Sequence, residues 1–134
     1  MKNLFLLLLI VLPMYTFAHP YRCQGTPSLD AISKALSSGD VDALSKYFAD
    51  QVEVSIQDKE QTYAKTKAAE VVRAFFTNNK PKSFSQVHQG ASRENSDQYC
   101  IGNLSAATGS YRVYIYLKAT GGSLSIQEIR FDKA

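Results

Sequence analysis

The sequence predicts an α+β fold, in which helices pack on one face of an antiparallel sheet. The first half of the domain carries apolar residues at helical spacing, as in Leu29, Ile32 and Leu36. The second half is a succession of strand-like runs separated by short polar or glycine-containing turns. Helices segregated to one face of an antiparallel sheet are typical of the α+β class.

Three helices are predicted, and each has a recognisable boundary. Ser28 is placed to cap the first helix, because its hydroxyl can accept a backbone N–H, and Gly39 is expected to end it. Asp40 is placed to cap the second helix and Thr66 to cap the third. The apolar faces of the second and third helices consist of Val41, Leu44, Phe48, Val71, Val72, Phe75 and Phe76.

Strands are predicted from alternating polar and apolar residues. Residues 52–57 alternate strictly, Asp58 and Lys59 form a turn, and residues 61–63 make a short return strand. An antiparallel meander of four strands follows, over residues 84–91, 99–104, 111–118 and 124–131. The predicted order is therefore helix, helix, hairpin, helix and a four-stranded meander.

The N-terminus has the features of a secretory signal peptide. Lys2 precedes an unbroken apolar run over residues 4–12, Pro13 ends that run, and Ala18 is a small residue at a suitable cleavage point. The run is shorter than the ~20 residues that a membrane-spanning helix needs. We therefore expect residues 1–18 to be a signal peptide, residues 19–27 a loose leader and residues 28–134 a single α+β domain. The protein is expected to be exported, to the periplasm or outside the cell, with no transmembrane segment after cleavage.

Charge and cysteine content restrict the chemistry. A formal net charge of +3 is too small to predict binding to nucleic acid. Cys23 and Cys100 form a possible disulfide in an exported chain, or remain two unpaired thiols. Neither histidine has cysteine or acidic partners at metal-ligand spacing, so no metal site and no cofactor are predicted.

The element order is similar to the cone-like fold of nuclear transport factor two and ketosteroid isomerase. In that fold one long helix packs on a strongly curved sheet. A closer resemblance is to an uncharacterised domain-of-unknown-function family of small exported bacterial proteins. The segments that carry it are residues 44–48, 58–60, 75–76, 81–84, 88–90, 109–114 and 126–131. The resemblance implies a fold and no activity, so it supplies no catalytic residues.

Three residues are candidates for lining a ligand pocket between the sheet and the long helix. His88 has a near-neutral pKa that suits acid–base chemistry, although a histidine at the pocket rim or surface is the simpler interpretation. Glu128 and Arg130 lie on a strand whose apolar face switches sides, since Ile126 and Ile129 would otherwise face opposite ways. Either a β-bulge accounts for this, or Glu128 and Arg130 enter the pocket as an ion pair.

The strand at residues 111–118 has a second, amphipathic face. Its outward residues would be Arg112, Tyr114 and Tyr116, which are types favoured at protein interfaces. The competing interpretation is an ordinary solvated face.

These features predict a non-catalytic exported module that binds a small ligand or a protein partner through the pocket or the sheet face. One alternative is a small cavity enzyme, a hydrolase or isomerase that uses His88 or Glu128 as its base. The other is a structural homodimer. Whether the protein is an enzyme is left open by the sequence.

Overall fold

The structure is a computed structural model that describes residues 27–92, 94 and 96–134. The signal peptide predicted at residues 1–18 and the leader up to residue 26 lie outside the described residues. Helices and strands within the described ranges are, in chain order, α1 (Pro27–Ser38), α2 (Val41–Ser45), β1 (Phe48–Ile56), β2 (Lys59–Ala64), α3 (Lys65–Asn78), β3 (Pro81–Ala91), β4 (Gln98–Ala106), β5 (Gly109–Thr120) and β6 (Ser123–Lys133). The domain is thus α+β, as predicted.

The strands form one six-stranded sheet in the order β2-β1-β6-β5-β4-β3. The pairs β1–β2, β3–β4, β4–β5 and β5–β6 are antiparallel, and β1 pairs parallel with β6. The sequence predicted a two-stranded hairpin followed by a four-stranded meander; in the structure these six strands form one sheet. Pairing with β1 covers the edge of β6, so the edge strands of the sheet are β2 and β3.

Two of the predicted helix boundaries are confirmed. Asp40 caps α2, since its Oδ1 accepts the N–H of Ala43 at 3.0 Å. Gly39 follows α1 with φ of +69°, a left-handed conformation that glycine adopts without steric cost.

Three other boundary predictions are wrong. Helix α1 already includes Pro27, whose fixed φ suits a first helical turn, so Ser28 lies inside the helix and is not its cap. Helix α3 begins at Lys65 after Ala64, with no side-chain cap, which places Thr66 within its first turn. Phe48 begins β1 and does not continue α2.

The core lies between the helices and one face of the sheet. Phe75 and Phe76 of α3 pack there against Phe131 of β6, with ring centroids 4.5 and 5.7 Å away. Val113 and Ile115 of β5 are fully buried beside them, as expected from the alternation along that strand. We call this the inner face of the sheet and its opposite the outer face.

Four register shifts interrupt the strand pairings among the described residues, and two of them decide which way candidate residues face. In β6, Tyr116 pairs with Glu128 and Leu117 with Ile126, so Gln127 is an extra residue. Of the two alternatives that the sequence left open, the structure shows the bulge, and it directs both Ile126 and Ile129 to the core. A second bulge in β3 has no sequence signature that we recognised. There Gln86 pairs with Gly102 and His88 with Ile101, which leaves Val87 as the extra residue.

Candidate binding surface

Cross-strand pairing assembles two groups of side chains on the outer face. On β5 and β4 lie Tyr114, Tyr116, Tyr99 and Ile101, which we call the tyrosine row. On β1, β2 and β6 lie Glu53, Glu60 and Glu128, which we call the acidic end. The two groups meet where Glu128 pairs with Tyr116 across β6 and β5. All four side chains of the tyrosine row are half-buried. The helices contact the sheet from its inner face, so the row faces outward.

The ring of Tyr99 lies over Gly90 of β3, where any side chain would displace it. A Cβ atom at Gly90 would stand 2.3 Å from Tyr99 Cε1, well inside van der Waals contact. The Tyr99 hydroxyl is within hydrogen-bond distance of His88 Nε2, at 3.0 Å. The missing side chain at Gly90 therefore lets the aromatic surface extend from β5 to the sheet edge.

Tyr116 is fixed by a buried carboxylate. Its hydroxyl donates to Asp97 Oδ2 at 2.5 Å, and the N–H of Ala119 donates to Asp97 Oδ1 at 3.0 Å. These bonds stabilise the ionised carboxylate: the pKa of Asp97 is lowered, chiefly by the Tyr116 hydroxyl. The same bond raises the pKa of Tyr116. Asp97 thus anchors the β3–β4 connection to β5.

The negative charge of the acidic end is only partly neutralised by Arg130. Arg130 Nη2 lies 2.7 Å from Glu128 Oε1 and 3.7 Å from Glu60 Oε2. Burial raises the pKa of Glu53, and the neighbouring charges of Glu60 and Glu128 raise it further, while Arg130 lowers it only in part. Beside these residues a polar cleft of about 550 Å³ is lined by Ser55, Gln57, Asp58, Glu60, Arg130, Asp132 and Lys133.

The structure does not bring the pocket candidates together. His88 is exposed on β3 and Glu128 is half-buried on β6, with β4 and β5 between them. Three strand spacings separate them by about 14 Å. The bulge at Val87 turns His88 to the outer face, away from Phe84 and the core. Glu128 and Arg130 do form an ion pair, but they form it on the outer face and not in the inner pocket.

The interface candidates all lie on the outer face. Tyr114 and Tyr116 are half-buried and Arg112 is exposed, paired across the strands with Asp132. Sequence reasoning missed Glu53 and Glu60 as members of this surface. Their strands were predicted, but the register that places them beside β5 and β6 was not.

A second cavity opens at the end of the inner face. It has a volume of about 630 Å³, and its lining includes Tyr47, Gln98 and Leu124. Cys100 lies two residues from Gln98 along β4, is buried and has no disulfide partner among the described residues. Burial raises the pKa of its thiol. Cys23 lies outside the described residues, so the disulfide stays a prediction.

Residues 27–92, 94 and 96–134 hold no cluster of three or more histidine, cysteine, aspartate or glutamate side chains placed to bind a metal ion. None of the helices in those ranges is long and apolar enough to cross a membrane.

The fold belongs to the class of nuclear transport factor two. An NTF2-like protein from Cytophaga hutchinsonii superposes with a TM-score of 0.59 at 10% identity, covering 80% of this chain and 93% of its own. A putative polyketide cyclase from Sinorhizobium meliloti gives 0.59 at 13% identity, covering 78% and 93%. At such low identity these likenesses establish the fold alone.

The family is established by the sequence itself. Residues 29–132 match the domain of unknown function DUF4783, and the chain belongs to this family. A family member from Bacteroides ovatus is 34% identical with a TM-score of 0.74, covering 78% of this chain and 93% of its own. One from Bacteroides uniformis is 33% identical with a TM-score of 0.75, covering 82% and 98%. No curated protein matches the sequence.

Proposed function

We propose that the protein is an exported, non-catalytic binding module that docks a protein partner on the outer face of its sheet. The observation that carries the proposal is the tyrosine row. Three half-buried tyrosines and Ile101 lie side by side on adjacent strands, facing away from the helices. Tyrosine is enriched at interfaces because one ring buries a large area and still offers a hydroxyl for hydrogen bonding.

The arrangement supports binding better than catalysis. The two residues that would act as a base, His88 and Glu128, are separated by two strands and share no point within hydrogen-bond reach. The tyrosine row, in contrast, is continuous, and two of its rings are fixed by contacts within the sheet. Tyr116 is bonded to Asp97, and Tyr99 occupies the space above Gly90. A surface that is already ordered loses less conformational entropy on binding.

Site-specific photo-crosslinking in the exporting cell tests this role. A photoreactive phenylalanine analogue at Tyr114 is expected to give one dominant adduct. The matched control carries it at Ala74, an exposed position on α3 at the other side of the domain. Absence of an adduct at 114, or the same adduct at both positions, would refute the proposal. An adduct of twice the chain mass would identify the partner as a second copy and support the homodimer alternative.

A small ligand in the inner cavity is the second candidate. The cavity of about 630 Å³ has the size of a small-molecule site and combines an aromatic ring, an aliphatic side chain and an amide from Tyr47, Leu124 and Gln98. Native mass spectrometry of the exported protein, ionised under non-denaturing conditions, tests for this ligand. A reproducible mass increment that disappears on denaturation supports the ligand, and a bare protein mass opposes it.

A further inference from the structure

The acidic end carries an excess of negative charge on a protein that is positive overall. Glu53 and Glu128 are direct partners across β1 and β6, and Glu60 pairs with Ser55, the neighbour of Arg130. Three carboxylates therefore surround one guanidinium. Within the described part of the chain, Arg130 forms ion pairs with Glu60 and Glu128, and Glu53 forms none. The formal net charge of the whole chain is +3, so the excess negative charge is local.

This arrangement costs the folded protein stability. Like charges directly opposite each other in a sheet repel. Burial raises the pKa of Glu53, and the charges of Glu60 and Glu128 and a side-chain hydrogen bond with Glu60 raise it further, while Arg130 lowers it. Sites that break a local rule without a compensating contact in the fold are expected to serve a function. A cation supplied from outside would provide the missing compensation.

The surroundings favour a particular kind of cation. Glu128 is paired with Tyr116, and Arg130 with Tyr114, so the acidic end borders the tyrosine row directly. Aromatic ring faces attract ammonium and guanidinium groups. The long aliphatic stems of lysine and arginine also pack on such rings while their charged ends reach a carboxylate. Inorganic cations would use only the carboxylates, whereas a basic side chain uses both groups.

Resting on the proposed docking role, we propose that the protein partner presents a basic segment to this surface. A Lys or Arg side chain of the partner lies between Glu53 and Glu128, with its stem against Tyr116. An apolar neighbour in the same segment packs on Tyr114 and Ile101. Charge complementarity sets the orientation, because the acidic end is on the β2 side and the tyrosine row extends toward β3.

A pair of short peptides probes this chemistry. Acetylated and amidated Leu-Lys-Leu-Lys and Leu-Glu-Leu-Glu are titrated into the ¹⁵N-labelled exported protein at low salt, with backbone amide shifts as the readout. The lysine peptide is expected to shift amides of β1, β2 and β6, and the glutamate peptide is not. The double variant Glu53→Gln with Glu60→Gln should bind the lysine peptide about fivefold more weakly, since each exposed ion pair contributes modestly.

Glu70→Gln is the matched control for charge. Glu70 is an exposed carboxylate on α3, paired with Lys67 at 3.0 Å, and lies away from the sheet face. Its replacement should leave the affinity for the lysine peptide unchanged. NMR titration of the Glu53 side chain measures its pKa, which apolar docking alone would leave unchanged. Its pKa should fall when the lysine peptide is bound, because a nearby cation favours the carboxylate.

Equal affinity of the lysine peptide for the native protein and the double variant would overturn the inference, as would shifts confined to the helices. Photo-crosslinking at Tyr114 separates this failure from failure of the docking role. If the adduct at 114 forms equally in the double variant and the peptide does not discriminate, the docking role stands and the basic partner is wrong. If no adduct forms at 114 in the native protein, the docking role itself is wrong.

Discussion

Replacing Phe75 by leucine measures how much of the stability comes from ring packing between α3 and the sheet. The Phe75 ring lies 4.5 Å from Phe131 and 5.2 Å from Tyr111, the latter in an edge-to-face arrangement at 83°. Aromatic pairs contribute about 0.5–1.5 kcal/mol each beyond the area they bury. Leucine keeps an apolar side chain and loses both cross-element pairs. The free energy of unfolding should therefore fall by about 1–3 kcal/mol.

Phe48→Leu is the matched control, because it truncates a buried phenylalanine that has no ring partner among the described residues. Both variants are compared with the native protein by equilibrium urea denaturation, followed by far-UV circular dichroism. A larger loss for Phe75→Leu than for Phe48→Leu is expected, with unchanged denaturant dependence. If both variants lose the same free energy of unfolding, the aromatic rings around Phe75 stabilise the fold through buried area alone. The reasoning from ring geometry would then be refuted.

Two further predictions concern the outer face. The pKa of Glu53 is raised in the folded protein. Its contribution to stability is therefore fully present below the ordinary pKa of glutamate, and it is lost as the pH rises through the raised pKa. Glu53→Gln should accordingly raise the free energy of unfolding at pH 7 by about 0.5 kcal/mol. That gain should vanish in urea denaturation at pH 4, and a gain that persisted there would contradict the electrostatic cause. Tyr116→Phe removes the hydroxyl that lowers the pKa of Asp97, so it should lower the urea midpoint at pH 7. Since a lowered pKa stabilises only above the ordinary value, the difference should shrink as the pH falls through the lowered pKa, and a pH-independent loss would point to packing instead.

Strong periodicity made much of the inner face predictable from the sequence. Tyr111, Val113, Ile115 and Leu117 alternate along β5, and all four are buried. The apolar stripe of α3 likewise places Phe75 and Phe76 in the core. In both elements the direction of each side chain depends only on its position along one helix or strand. Such a pattern can be recognised without knowing how the elements pair.

The outer face depends on long-range register, which no local pattern encodes. Glu53, Glu60 and Glu128 come from three strands, and only the parallel pairing of β1 with β6 brings them together. The orientation of His88 depends on the bulge at Val87, and a bulged residue carries no distinctive local signal here. The sequence therefore indicated candidate residues, but not which of them are neighbours.

The bulge at Gln127 connects the core with the candidate surface. Strict alternation after Ile126 would turn Glu128 and Arg130 inward and Ile129 and Phe131 outward, since a one-residue shift exchanges the two faces of a strand. Burying that ion pair in an apolar core would cost more desolvation than its attraction returns. One extra residue avoids this cost and retains Phe131 at the centre of the aromatic cluster. It also delivers Glu128 and Arg130 to the outer face beside the tyrosines. The same local irregularity thus specifies both the packing that stabilises the domain and the charge pattern proposed to recognise a partner.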